Sequence, residues 1–138
     1  MPVPPAGSVI HWRDYLPTHG KYFLLLGVCD QGLLLALTIT SQEHWLRSPI
    51  HKAAMVEIPQ GATNFLSKRS FINCFFGIKR ISPVEYEQAE CEGVVTVSGR
   101  LPTGYLSKVK IAVNNDLMTE VDIVEAVAVI ERVLPPRA

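Results

Sequence analysis

Lys21–Gln42 reads KYFLLLGVCDQGLLLALTITSQ, and the reading of this stretch decides the fold. Two apolar runs, Tyr22–Val28 and Leu33–Ile39, flank Cys29-Asp30-Gln31-Gly32. Each run is about strand length, too short for a stable isolated helix and too short to span a membrane. Gly32 supplies the positive φ that a tight reversal needs. The stretch therefore predicts a β-hairpin. Its runs are almost continuously apolar, which predicts cover on both faces. The hairpin enters through a cation, Lys21, and leaves through the hydroxyls of Thr40 and Ser41. These polar groups mark the rim of a buried element.

The chain has 138 residues, 48% of them hydrophobic. This length predicts a single domain over 1–138, able to bury a core without disulfides or metals, with the Pro-rich Met1–Ala6 fraying. Such composition excludes a disordered chain. Thirteen basic and thirteen acidic side chains give a formal net charge of zero. A general basic coat is excluded, so any nucleic-acid contact must come from a local patch. Cys29, Cys74 and Cys91 are widely spaced and contain no CxxC pair, which signals neither a disulfide framework nor a zinc ribbon. A reducing compartment follows. The opening MPVPPAGS lacks the basic and apolar regions of a signal peptide, and a soluble, cytoplasmic protein with no membrane contact is expected.

Around the hairpin, Gly7–Trp12 reads as a first strand, and Arg13–Gly20 as a loop that hangs over the start of the hairpin. Gln42–Pro49 is a polar connection, Ala53–Ile58 a strand, and Arg69–Ile81 a β-branched and aromatic strand bent at Gly77. Ser82-Pro83-Val84-Glu85 starts a short helix with Ser as cap and Glu three residues on. Val94–Ser98 is a strand. Thr103–Val113 and a segment from Thr119 show apolar residues at helical spacing, the second with acids in its first turn. Strands followed by terminal helices predict an α+β, mainly β chain: a small antiparallel barrel with a short inserted helix and C-terminal helices.

No HExxH, GxGxxG, P-loop or GxSxG occurs. The four His have no helical i, i+4 pairing, so no metal site is signalled. Cys74, in FINCFF, reads as a core thiol. Lys68, Arg69, Lys79 and Arg80 bracket one predicted strand; they form either a stripe that holds phosphates or a pair of solvated strand ends. Trp12 and Trp45 read as core anchors or as stacking platforms for bases. Lys21, Thr40 and Ser41, overhung by His19, place a cation, hydroxyls and an imidazole at one rim. Such a set can bind and cleave a phosphodiester, with the cation offsetting charge on phosphorus and the imidazole moving protons.

Several blocks occur in a telling order: GSVIHW at 7–12, THG at 18–20, KYFLLL at 21–26, LTITS at 37–41, LSKRSFINC at 66–74 and GRLP at 99–102. This series resembles the MazF/PemK/Kid family of toxins from toxin–antitoxin systems. The resemblance implies an SH3-like barrel acting as a homodimer. It further implies a cofactor-free, metal-independent endoribonuclease that cuts single-stranded RNA to leave a cyclic phosphate, and an antitoxin protein or peptide that blocks the RNA groove. Residue by residue, Lys21 stands where the family usually has a catalytic Arg, and Thr40 matches its hydroxyl. Asn73 falls near a second catalytic Arg of the family and Phe75 near its acid. The reading that follows makes Lys21, Thr40 and His19 catalytic, with His11 as an alternative acid or base. Ser41, Lys68, Arg69, Asn73 and Arg80 are RNA-binding. Lys is a point charge where Arg is a planar fork, so the alternative is a catalytically inactive SH3-like barrel serving as a protein- or nucleic-acid-binding module.

Overall fold

A computed structural model describes residues 3–13 and 20–134. Three strands, β1 (Ser8–Trp12), β2 (Lys21–Val28) and β3 (Leu34–Thr40), pair antiparallel in sequence order. A 3-10 turn at His44–Arg47 and a short helix, α1 (Pro49–Ala53), lead to β4 (Met55–Ile58) and β5 (Ser70–Asn73). After β6 (Lys79–Ile81) come α2 (Pro83–Cys91), β7 (Val95–Arg100), α3 (Thr103–Ala112) and α4 (Glu120–Val133). The architecture is α+β. Its antiparallel sheet runs β4-β5-β3-β2-β1-β7, with β6 also pairing β3. β5 takes the Thr40 end of β3 and β6 takes the Leu34 end. In this hydrogen-bonded order β4 and β7 are the two ends.

The β2–β3 hairpin is the centre of the sheet and is covered on both faces. Leu24, Leu26, Leu35, Leu37 and Ile39 pack into the core under α3 and α4, against Leu106, Val109, Ala126, Val129 and Ile130. Phe23, Leu25, Leu34 and Ala36 face the other way, into a smaller core closed by Tyr86 and Ala89 of α2. Strand alternation thus sends successive leucines to different helices. The reversal is made at Cys29–Gly32, with Gly32 at φ +78° and its N–H donating to the Cys29 carbonyl at 2.9 Å.

The capping signals are realised. Ser82 accepts from the Glu85 N–H at 3.0 Å, and Thr119 from the Asp122 N–H at 3.2 Å, each satisfying one of the orphan donors at a helix start. Two stretches differ from expectation. The predicted single strand over 69–81 is two strands, because β5 and β6 pair different parts of β3 and the chain between them leaves the sheet. There the Cys74 N–H donates to the Ala54 carbonyl, and its own carbonyl accepts from Asn115 Nδ2 at 2.8 Å. The second difference is Ala53, expected to begin a strand; it closes α1 instead, a turn started by Pro49 in the first helical position.

A bulge between Leu25 and Gly27 accommodates α4. Gly27 has φ +135°, and a Cβ there would lie 2.7 Å from Val129 Cγ1. Helix and sheet approach too closely for any side chain at this position. Gly27→Ala is expected to destabilise the fold by about 2–4 kcal/mol, combining backbone strain with overpacking. Gly32→Ala, which meets no atom within 4 Å, is expected to cost only the left-handed strain of about 1–2 kcal/mol. Urea denaturation of the two variants measures the difference.

Candidate functional site at the hairpin rim

Where α2 stops covering the sheet, the same face turns polar. Continuing from Phe23 and Ala36, it presents Lys21 on β2, Thr38 and Thr40 on β3, Asn73 on β5 and Lys79 on β6, as the cross-strand register requires. On β2, β3 and β6, buried apolar positions thus give way within two residues to cations and hydroxyls.

Two concavities open at this end. The first is a cleft of about 320 Å³ lined by Lys21, Tyr22, Ile39, Thr40, Ser41, Gln42, Leu66, Ser67, Lys68 and Ser70, with Gly20 at its edge. It brings together four of the predicted residues: Lys21, Thr40, Ser41 and Lys68. The wall carrying Ser67 and Lys68 is held by local anchors. Thr63 Oγ1 accepts from the Leu66 N–H at 3.1 Å, Leu66 is buried in the larger core, and Ser70 Oγ donates to the Lys68 carbonyl at 2.9 Å. Across the cleft, Thr40 Oγ1 accepts from the Gln42 N–H at 3.1 Å, which leaves its own O–H able to donate. No Asp or Glu lines this cleft, and Lys21 makes no ion pair among the described residues. The second concavity, about 360 Å³, is lined by Lys21, Thr38, Phe76, Gly77, Ile78 and Lys79. Lys21 is the wall shared by both.

The remaining predicted residues lie elsewhere. Arg69 is exposed to solvent and its fork is occupied: Nε and Nη2 each donate to Glu57 at 2.9 Å and Nη1 to Glu43 at 3.3 Å, with the guanidinium 4.9 Å over the Phe71 ring. The hydrogen bond from Arg69 lowers the Glu57 pKa, and Glu57 in turn raises that of Arg69. Arg80 points to the opposite face, where Nη2 reaches Asp122 at 2.8 Å and Nε reaches Glu125 at 2.9 Å. These contacts, Asp122 first, raise its pKa; with the Ile78 N–H also donating to Asp122 at 3.3 Å, they tie β6 to α4. Asn73 is buried, donating to Thr38 Oγ1 at 3.4 Å, while its Oδ1 has no partner among the described residues. His19 lies outside the described residues. Cys74 is a core thiol, pushed up to about 12 by burial.

Two features escape a linear reading. His11, opposite Tyr22 in the register, packs its ring 4.7 Å from the tyrosine and fills the space where a Gly20 side chain would stand. This puts an imidazole behind the cleft wall, discoverable in advance only from the β1–β2 register. Phe75 and Phe76 leave the sheet to join Trp45 and His51, with ring centroids 4.5 to 5.2 Å apart. Among the described residues no group of three or more His, Cys, Asp or Glu is placed to hold a metal, and no helix is long and apolar enough to cross a membrane. Compared with known proteins, the chain matches no family model and no curated sequence.

The two cationic residues Arg80 and Lys68 are expected to separate cleanly. Arg80→Ala should lower stability by about 1.5–3 kcal/mol, the range for hydrogen bonds to charged groups, and leave the cleft's affinity for polyanions unchanged. Lys68→Ala should do the reverse, with little effect on the unfolding midpoint and weaker retention on heparin. Thiol labelling is a second check. The exposed Cys91 should react with Ellman's reagent in the native protein, and the buried Cys29 and Cys74 only after unfolding.

Proposed function

We propose that this chain binds single-stranded RNA across the rim of the β2–β3 hairpin and cuts it without a metal, as the MazF/PemK/Kid toxins that its ordered blocks resemble do. The observation that carries this reading is the lining of the first cleft. Two lysines, Lys21 and Lys68, and the hydroxyls of Thr40, Ser41 and Ser67 meet there with no carboxylate in the lining. Cations and hydroxyl donors without competing acids suit a phosphodiester. On this reading the seven-stranded sheet is an SH3-like barrel, the working form is a homodimer, and the same cleft is where an acidic antitoxin peptide would compete.

The chemistry is an internal transfer. The ribose 2′ oxygen forms a bond to phosphorus as the bond to the 5′ oxygen of the next nucleotide breaks, leaving a cyclic phosphate and a free 5′ hydroxyl. Lys21 offsets the negative charge that grows on the non-bridging oxygens, and the Thr40 hydroxyl donates to one of them. The 2′ proton must be accepted and the 5′ oxygen protonated; His11, behind Gly20, and His19 are the imidazoles assigned to these transfers. Lys68 and Ser41 hold the flanking phosphates.

A second reading has its own support. Asn73 and Phe75, which stand near the family's second Arg and its acid, are both buried. A site lacking that pair is suited to binding RNA without cutting it. Incubating the protein with a long single-stranded RNA in EDTA decides between them. The nuclease reading expects discrete fragments ending in cyclic phosphate, with Lys21→Ala and Thr40→Ala each slowing cleavage by about 10²–10³-fold. Intact RNA with a retained gel shift would select the binding module, and intact RNA with no shift would remove both readings.

A further inference from the structure

Phe76 is 54% exposed. The other four phenylalanines are buried or half-buried, so Phe76 stands apart as a ring left open to solvent. Its ring is not loose: it sits edge-on to Trp45, with centroids 5.2 Å apart and planes at 83°, and 4.5 Å from the Phe75 ring. Phe75 is buried and packs against Trp45 and His51. His51 is itself fixed by a 2.8 Å hydrogen bond between Nδ1 and Ser48 Oγ. The half-exposed Phe76 ring is therefore backed by Trp45 and Phe75, which His51 braces in turn.

Phe76 also lines the second concavity, whose other walls include Lys21, Lys79 and Thr38. The concavity and the cleft share Lys21, which lines both. Thr38 leads back to Asn73, whose buried Oδ1 lacks a partner among the described residues. A buried acceptor of this kind is costly unless a donor reaches it. Exposed aromatic surface with cations beside it describes a ligand with a flat ring and a negative charge.

We infer that the Phe76 concavity is a nucleobase subsite: a base of single-stranded RNA stacks on Phe76 while the phosphate attached to its nucleotide lies against Lys21. This inference rests on the reading of the first cleft as a phosphodiester site and names what the chain does with the neighbouring nucleotide. Stacking on an aromatic ring tolerates every base, so the subsite supplies affinity, and any preference comes from the polar groups around Thr38. The shared Lys21 sets the register, because a strand running from the cleft into the concavity must pass it.

The test is fluorescence anisotropy with a short, fluorescein-labelled 2′-O-methyl RNA, which cannot be cleaved through its 2′ oxygen, and with the same oligomer made abasic. Phe76→Ala should weaken binding of the base-bearing oligomer about 5- to 100-fold, the range seen when a stacking residue is removed, and Phe76→Trp should retain it. The abasic oligomer should bind wild type as weakly as the base-bearing one binds Phe76→Ala, and the substitution should cost it nothing further. If Phe76→Ala binds like wild type while Lys21→Ala loses affinity, the stacking subsite is wrong and the phosphodiester cleft stands. If wild type binds neither oligomer, both are wrong. Because Phe76 is largely exposed, unchanged thermal unfolding of the variants separates loss of stacking from loss of fold.

Discussion

The structure depends on one constraint: the β2–β3 hairpin is apolar on both sides and must be covered twice. Fully burying a side chain of Leu or Phe size stabilises by about 1.5–3 kcal/mol, and this hairpin carries seven such residues with no exposure: Phe23, Leu24, Leu25, Leu26, Leu34, Leu35 and Leu37. One helix layer satisfies only half of them. The chain answers with α3 and α4 on the side of Leu24, Leu26, Leu35 and Leu37, and with α2 on the side of Phe23, Leu25, Leu34 and Ala36. The connections follow from this requirement. α2 lies between β6 and β7 in sequence and reaches one face. α3 and α4 come last and close the other.

The two covers are unequal, and the inequality positions the site. α4 runs over its face closely enough that Gly27 can carry no side chain, and the Arg80 contacts with Asp122 and Glu125 fasten it to β6. α2 is shorter and buries only Tyr86 and Ala89. Beyond its reach this face carries Lys21, Thr38, Thr40 and Lys79. Polar groups at this end avoid the desolvation they would meet deeper in the core, and their convergence from three strands produces a concave, acid-free rim. The electrostatic character of that rim is local. A chain with zero formal charge places Arg69 and Arg80 in carboxylate pairs, with Glu57 and Asp122, and leaves Lys21 and Lys68 lining an acid-free cleft.

Much of this was legible in the residues themselves. The hairpin, its turn at Gly32, both helix caps and the antiparallel order of the sheet follow from periodicity and from short-range hydrogen-bonding preferences, which act over a few residues. Lys21, Thr40 and Ser41 were legible as a group because hairpin pairing puts the two ends of one stretch side by side. Lys68 joined them through a loop whose anchors, Leu66 and Thr63, leave no periodic mark. Arg69 and Arg80 looked like members of the same stripe as Lys68. Strand alternation and long-range carboxylates, 12 residues away for Glu57 and 42 away for Asp122, sent them elsewhere.

The sequence by itself determined that this chain is α+β, that its centre is a doubly buried hairpin, and that the hairpin's ends are cationic and hydroxylic. These are consequences of side-chain chemistry read at the spacing of a strand or a helix turn. Only the tertiary structure decided which face each helix covers, where cover stops, and hence which polar groups converge. It also split the stretch 69–81 into two strands, because β3 has room along one edge for two short partners. That division carried Phe75 and Phe76 out of the sheet and onto Trp45, and the β1–β2 register placed His11 behind Gly20. Such placements come from contacts between residues distant in sequence, whose free energy depends on the packing of the whole domain and has no local signature.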